Sequence, residues 1–449
     1  MDRKPKVDMG NEKISRLIYK LGMPATVGML VNALYNVVDT VFLGQGVGSL
    51  AISALTVAFP IQNLILGVGL MTGIGAASMI SRSLGENRTE KADQIAGNAF
   101  LSIFLMATAM AVAGLIFMDP MLRLFGASDT VLPYAREYMR VILIGWLWFP
   151  LMMTANHIAR SEGAARVAMV AMIIGTGLNI VLDPIFIFVL DMGIAGAAWA
   201  TILAQLVSIA YQYRYFSRGH SMIRLGWKYL KPDMGIIKEM YAVGMSAFAQ
   251  QASASGVGII MNNAIVTWGQ DLALAAYGIV FRVHAFIFMP LFGTVQALQP
   301  IVGYNYGARN VGRIEEAVRQ VLKWLTLIAV VGTVLCLLFP GFILMAFTRE
   351  PELLDLGARA MRIMSALIPV VGVQIAGSVL YQAVGKAGPA LFLALLRQVI
   401  LTLPLVLILP RFFGLDGVWL VYPVSDLIAA VITGWMMWRE MKVLRRELA

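Results

Sequence analysis

Long apolar stretches recur along the whole chain, each closed by a charged or Gly/Pro-rich interruption. A helix that crosses a bilayer needs about 20 mostly apolar residues in a row. Twelve stretches reach that length, near 21–43, 50–81, 92–118, 133–158, 167–190, 194–216, 240–265, 272–304, 318–345, 356–381, 388–410 and 417–438. Several are longer than the hydrocarbon core requires, which predicts tilt or extension into the headgroups. Ahead of the first, Ile14, Leu17, Ile18 and Leu21 follow the i, i+3, i+4, i+7 pattern of a helix lying in the membrane interface. Pro24 sits early in the first stretch and predicts a hinge there, because proline removes one intrahelical hydrogen bond.

The pattern repeats. A shift of 222 residues pairs Gly22-Met23-x-Ala25 with Gly244-Met245-x-Ala247, and Leu50, Ala51, Ala54 and Phe59 with Leu272, Ala273, Ala276 and Phe281. It also pairs Gly85 with Gly307, Phe125 with Phe347, Met139-Arg140 with Met361-Arg362, and Gly163 with Gly385. Each half then holds six helices. Six is even, so both halves enter from the same side, as a parallel repeat about an axis along the membrane normal. The expected plan is all-α integral membrane: twelve transmembrane helices in two six-helix lobes related by pseudo-two-fold symmetry. Residues 1–20 form an interfacial segment, 21–216 one lobe, 217–239 a linker, 240–438 the other lobe and 439–449 a tail.

Composition agrees and excludes the other classes. Of 449 residues 59% are hydrophobic and only 13% charged, about half the charge of a soluble domain. The net charge of +10 suits nucleic acid in a soluble protein, but in a membrane protein basic loops encode orientation. Here 26 of the 35 Lys and Arg residues fall on the side of the amino terminus, which places both termini and the linker in the cytoplasm and leaves no nucleic-acid role. The expected location is the plasma membrane of a prokaryote, with the bilayer itself as partner and a monomeric chain. A single cysteine, Cys336, and three scattered histidines exclude a disulfide framework and a Cys or His metal site. No ATP-binding loop and no nucleophile–base constellation is present, so an enzyme is not expected. No cofactor is expected beyond a coupling ion, H⁺ or Na⁺.

Charges inside spans are costly unless paired or hydrated, so they mark candidate function. They are Asp39, Asp183, Arg282, Arg397 and Asp426. On the first helix Asn32, Tyr35, Asn36 and Asp39 share one face, and on the fifth Asn179 and Asp183 do the same. The repeat positions of the two aspartates are Met261 and Leu405, so the acidic pair belongs to one half only. Two carboxylates facing one cavity do not both ionise cheaply; one keeps a proton, or a cation such as Na⁺ bridges them. Oxygens of Asn179, Thr201 or Tyr35 suit either state. The alternative is that each aspartate is satisfied by helix–helix hydrogen bonds. Arg282 and His284 either face a substrate cavity or make structural bonds, Arg397 snorkels or bonds structurally, and Asp426 is open in the same way. His157 reads as structural. Methionines and phenylalanines offer either an adaptable drug surface or ordinary packing. Gly67/Gly69, Gly73/Gly75 and Gly175/Gly177 favour close helix approach.

The 6+6 plan resembles the multidrug and toxic compound extrusion (MATE) family. So do Gly22-Met23-Pro24, Asn36-Val37-Val38-Asp39-Thr40, Asn179-x-x-x-Asp183-Pro184 and the glycines Gly85 and Gly307. The likeness covers essentially the whole chain, and the two Asp motifs match the DinF-like branch. It implies cation-coupled efflux through a V-shaped, two-lobed cavity. It also implies a cation site at Asp39, Asn179, Asp183 and Thr201, with Tyr35 and Tyr138 nearby. The NorM-like branch carries carboxylates in the second lobe; here only Asp426 remains there, which concentrates the expectation on the first lobe. The expected activity is antiport of cationic or amphipathic drugs against H⁺ or Na⁺. The alternative is a flippase for a lipid-linked or polyisoprenoid substrate.

Overall fold

A computed structural model describes residues 7–46 and 49–448, apart from the side chains of Asn36, Val37, Thr40, Val41, 43–46, Ser49, Ala51 and Ile52. The first half contains α1 (Ile14–Gly46), α2 (Ser49–Gly85), α3 (Thr89–Ile116), α4 (Met118–Leu124), α5 (Leu132–Gly145), α6 (Phe149–Ser161), α7 (Ala165–Pro184) and α8 (Gly193–Ser217). The second contains α9 (Met234–Val295), α10 (Leu298–Gly307), α11 (Val311–Leu338), α12 (Pro340–Met345), α13 (Pro351–Ser365), α14 (Ile368–Ala383), α15 (Ala387–Leu395) and α16 (Thr402–Leu448).

Twelve spans emerge once the breaks are read physically. A straight helix as long as α9, at 62 residues, would run to roughly 90 Å, about three bilayer cores. It breaks at Gln270, where φ is 57°, and Met261 and Ile265 before the break share a core with Tyr277 and Val280 after it. The continuous run from α15 through α16 breaks likewise at Gly414, φ 58°. Two further spans are bent pairs, α5 with α6 at 44° and α13 with α14 at 47°. In each, a proline opens the second helix, Pro150 in α6 and Pro369 in α14, where its missing N–H leaves no intrahelical bond unmade. α1, by contrast, continues as one helix through Pro24.

The repeat is visible in the backbone. Asn87 and Arg309, 222 residues apart, both have positive φ (59° and 56°), as do Gly163 and Gly385 (86° and 82°). The two halves meet along glycines. A Cβ on Gly85 would lie 1.9 Å from the Tyr304 carbonyl oxygen, and one on Gly307 would lie 2.1 Å from the Arg82 carbonyl oxygen. Tyr304 is itself the repeat partner of Arg82, so this is a reciprocal contact across the pseudo-two-fold axis. Where α2 crosses the first part of α9, a Cβ on Gly244 would meet the Met71 carbonyl oxygen at 1.8 Å, and one on Gly75 the Met240 carbonyl oxygen at 2.0 Å. Of the glycine pairs singled out in the sequence, Gly75 therefore makes such an approach, whereas Gly177 faces open space.

One sequence expectation is corrected here. Ile14, Leu17, Ile18 and Leu21 do not lie on an interface; they are buried in a core shared with Leu298, Ile301, Ile314 and Val318 of the second half. Backbone oxygens of Met9 and Glu12 accept hydrogen bonds from Arg313 Nη2 at 3.0 and 2.7 Å. The amino-terminal segment thus straps the second lobe, because its apolar stripe finds protein before it finds lipid. At the other end α16 runs on to Leu448, with Arg445 paired to Glu315 of α11.

The linker is pinned to the first lobe by buried acceptors. Ser221 Oγ and the Met222 amide donate to Glu162 Oε2 at 2.8 and 2.7 Å, and Tyr215 Oη donates to Oε1 at 2.6 Å. The Arg224 amide donates to Asp93 Oδ1, and that of Asp233 to Asn98 Oδ1, both at 2.7 Å. Burial lifts Glu162 to about 6, the hydrogen bonds from Tyr215, Ser221 and Met222 only partly offsetting it.

Two measurements check this architecture. Gly85→Ala and Gly307→Ala each force carbonyl and Cβ together; overpacking of this kind costs on the order of 1–3 kcal/mol. Thermal melting of purified protein should register that loss, while Gly258→Ala, with nothing within 4 Å, leaves the midpoint unchanged or raised. Glu162 binds its proton more tightly folded than unfolded. Its contribution is therefore fully present below its unfolded value of 4.5 and is lost as pH rises through about 6. From well below 4.5 to well above 6 the wild type should lose about 2 kcal/mol relative to Glu162→Gln, read as melting curves that diverge most steeply between those two values.

Candidate functional site

Helix α7 ends at Asp183-Pro184, and the chain continues as a π-helical turn over Ile185–Val189. Proline at the junction withholds a backbone donor, and a widened turn is one way the ladder adjusts. The face that precedes it carries Asn179 and Asp183, one helical turn apart and 2% and 0% exposed. Asn179 Nδ2 donates to Asp183 Oδ1 at 3.1 Å and approaches Thr201 Oγ1 of α8 at 3.3 Å. Thr201 gives its own proton to the Ala197 carbonyl at 2.9 Å, so its hydroxyl presents lone pairs to the site.

Across from this face, α1 brings Tyr35 and Asp39. Tyr35 is within hydrogen-bonding reach of Thr201, and the Asp39 carboxyl meets that of Asp183. Tyr138 of α5 stands beside them, its hydroxyl accepting from Gln62 Nε2 at 3.0 Å. The residues expected at a cation site are thus brought together: Asp39, Asn179, Asp183 and Thr201, with Tyr35 and Tyr138 at its edge. Asn36 was expected on the same face, but its side chain lies outside the described residues.

Hydrogen-bond bookkeeping gives the site its character. Asp39 Oδ1, Asp183 Oδ2 and Asn179 Oδ1 are buried, and none has a donor among the described residues. Three acceptor oxygens without a proton between them are costly in a low dielectric. Among the described residues neither aspartate has a Lys or Arg partner, and two adjacent ionised carboxylates add repulsion to desolvation. What satisfies such a set is a shared proton or a small hard cation that takes oxygen ligands.

The second lobe treats its charges differently. Arg397, in a π-helical stretch between α15 and α16, donates its Nε to Asp426 Oδ1, and its guanidinium stacks 5.9 Å from the Phe288 ring. Asp426 is 2% exposed. His284 is buried against Ser365 Oγ at 2.8 Å, with the Phe288 ring edge-on to it. Arg282 is exposed. The sequence offers Arg282, His284 and Asp426 either as substrate-cavity residues or as structural ones. None of them lines the cavity between the lobes, and Asp426 is held by an internal cation.

That cavity, of about 250 Å³, is built from seven helices of both halves, α1, α2, α6, α7, α9, α10 and α14. Met29 and Asn32 of α1, Met172 of α7, and Asn156, His157 and Arg160 of α6 form one wall; Gln296, Gln299, Gln374 and Gln382 form the other. Arg160 donates to Gln296 Oε1. Asn156 is 2% exposed, and among the described residues neither of its amide atoms has a partner. Sequence reading placed His157 among structural residues and passed over these amides, since dispersed Asn and Gln carry no local signal. Asn32 is seven residues from Asp39 on α1, so cavity and carboxyl pair are about 10 Å apart along one rigid helix. α7 makes a second such link, from Met172 to Asp183.

Comparison with known proteins follows the same geometry. The family model described as MatE matches residues 24–185 and again 247–408, two copies starting 223 residues apart. The multidrug export protein MepA of Staphylococcus aureus is 25% identical over 405 residues, spanning 90% of this chain and 89% of that one. A structure described as the outward-facing conformation of a multidrug resistance MATE family transporter of the MOP superfamily superposes with a TM-score of 0.93 at 27% identity, covering 99% of this chain and 100% of that one. Another, of a MOP superfamily transporter from Pyrococcus furiosus, gives 0.92 at 27% identity, with the same coverage; its description reports a binding pocket of reverse polarity suggesting a different function. With both halves matched, the two-lobed helical plan shared throughout and an acidic pair in the first lobe, this chain belongs to the MATE family of membrane transporters, which are not enzymes.

Proposed function

We propose that this transporter is a secondary antiporter that exports small amphipathic compounds in exchange for H⁺ or Na⁺, with Asp39 and Asp183 as the coupling site. The observation that carries this reading is the set of three donorless buried oxygens on α1 and α7, helices that also line the interlobe cavity. A proton or Na⁺ entering among Asp39, Asn179, Asp183 and Thr201 removes repulsion and desolvation cost in whichever lobe arrangement admits it. A ligand moves a conformational equilibrium only by its differential affinity for the two states, and neutralisation of a buried carboxyl pair supplies that difference. α1, with Pro24 as its hinge, carries the change to Met29 and Asn32 in the cavity. One charge moved through 100 mV contributes about 2.3 kcal/mol, enough to drive drug accumulation against a gradient.

The distribution of Lys and Arg supports cytoplasmic termini and linker, in a prokaryotic plasma membrane. Among the described residues Arg160 is the one Lys, Arg, Asp or Glu side chain lining the cavity, amid amides. This favours substrates that bring hydrogen-bond acceptors or an anionic group, alone or on an otherwise cationic amphiphile. The same observation supports the second reading, a flippase for a lipid-linked substrate with an anionic head.

In proteoliposomes with imposed pH or Na⁺ gradients, the wild type should expel a fluorescent amphipathic dye. Asp39→Asn and Asp183→Asn should each lower gradient-driven efflux at least about tenfold while remaining folded, because the ion no longer discriminates between the states. Wild-type efflux in either variant would sink the coupling assignment. Independence from both gradients, with transfer of a polyprenyl pyrophosphate between leaflets, would establish the flippase instead.

A further inference from the structure

A second groove is not between the lobes. It lies on the outside of the first lobe, about 350 Å³, where the linker folds back against α3, α6 and α8. Its walls run up the helices away from the linker. Leu151 is ten residues from the end of α6 and Ile209 eight from the end of α8, so the groove climbs about 12–15 Å. Half of a 30 Å hydrocarbon core is about 15 Å, so this slot matches one leaflet. Phe100, Leu151 and Ile209 make its apolar walls.

Polar and aromatic groups are graded along it as a phospholipid is graded. At the linker end Trp227 is 90% exposed and Tyr213 67%, the placement of aromatic side chains at a membrane surface. Around that mouth Arg214, Arg218, Arg224, Lys228 and Lys231 are all exposed, a basic cluster suited to anionic headgroups. Beside Tyr213 on α8, Gln212 turns inward to line the groove, 1% exposed, with neither Nε2 nor Oε1 hydrogen-bonded among the described residues. A buried amide with both ends unmet is costly in an apolar setting. An ester carbonyl, the polar group between headgroup and acyl chain, is an acceptor that meets its Nε2.

We propose that this groove is a binding site for an anionic glycerophospholipid of the linker-side leaflet. The acyl chain lies against Phe100, Leu151 and Ile209, Gln212 Nε2 donates to an ester carbonyl, and the headgroup meets the Lys228 and Lys231 ammonium groups beneath Trp227. The lipid then joins the linker, which connects the two lobes, to three helices of the first lobe. Nothing in this requires the Asp39/Asp183 pair, so the site and the antiport reading stand or fall separately.

The test uses delipidated full-length protein, titrated with phosphatidylglycerol or phosphatidylcholine and followed by native mass spectrometry. A second readout is quenching by acyl-brominated phosphatidylglycerol of the Trp227 signal, taken as the difference between wild type and Trp227→Phe. One phosphatidylglycerol should be retained per chain, with a preference over phosphatidylcholine of roughly threefold or more that Lys228→Gln/Lys231→Gln abolishes. Gln212→Leu should weaken retention of both lipids alike. Gly226→Phe should block the mouth without unfolding the chain: Gly226 is extended, and a Cβ there meets only a Tyr229 ring carbon, at 3.8 Å. Asp39→Asn should bind lipid as the wild type does. The proposal is overturned if the wild type retains no phosphatidylglycerol, or if Gly226→Phe leaves the Trp227 quenching intact. It is equally overturned if a cationic dye displaces the lipid at lower concentration, which would make the groove a drug site.

Discussion

Two half-chains in a membrane gain little from hiding apolar surface from each other, because lipid is as apolar as a leucine side chain. What holds them in one register is how closely their backbones approach. At the pseudo-two-fold axis the carbonyls of Arg82 and Tyr304 occupy the positions that Cβ atoms of Gly307 and Gly85 would fill. The crossing at Gly75 and Gly244 repeats the device. Dispersion attraction is short-ranged, so it rewards such approaches and penalises any added methyl. These seams set the angle between the lobes, and that angle sets the cavity that Asn156, Arg160 and the glutamines line. A rocking motion of the lobes must pivot on or slide along them.

On this symmetric frame the chemistry is deliberately asymmetric. In the first lobe two carboxyls meet with no Lys or Arg beside them among the described residues, and three buried oxygens there have no donor. In the second, Arg397 serves as a permanent counter-charge to Asp426, and the positions that repeat Asp39 and Asp183 hold Met261, 1% exposed, and a partly buried Leu405. A carboxylate with a tethered guanidinium has its demand met in every conformation, so it carries little information about ion gradients. A pair without one answers to whatever proton or cation the medium provides. Under the proposed coupling role, the difference between a sensing site and a structural one is the presence of one arginine.

Beyond the two lobes lie the amino-terminal strap and the linker, and each is held by a different kind of bond. The strap seals by apolar burial, with Ile14 and Leu17 fully enclosed against α10 and α11. The linker is tied by hydrogen bonds to the Glu162 and Asp93 carboxyls, which are directional. Sequence reading treated the strap as interfacial because an amphipathic stripe looks the same whether it faces lipid or another helix. Only the arrival of α10 and α11 decides between them.

Periodicity and spacing were enough to determine the twelve spans, the 222-residue repeat, the confinement of the acidic pair to one half, and the shared faces of Tyr35 with Asp39 and Asn179 with Asp183. These are properties of single helices or of the chain compared with itself, where position along the sequence fixes position in space. The bends at Pro150 and Pro369 were legible too, had the prolines been weighed. Tertiary structure alone decided that α1 presents Asp39 to Asp183, that Arg397 closes on Asp426 from 29 positions away, and that His284 turns to Ser365 rather than into the cavity. It also assembled the amide-lined cavity from seven helices and folded the linker over Gln212. The physical reason is common to all of them. A helix face is set locally, but what it faces is set by packing distances between backbones, and these depend on small residues far apart in the chain.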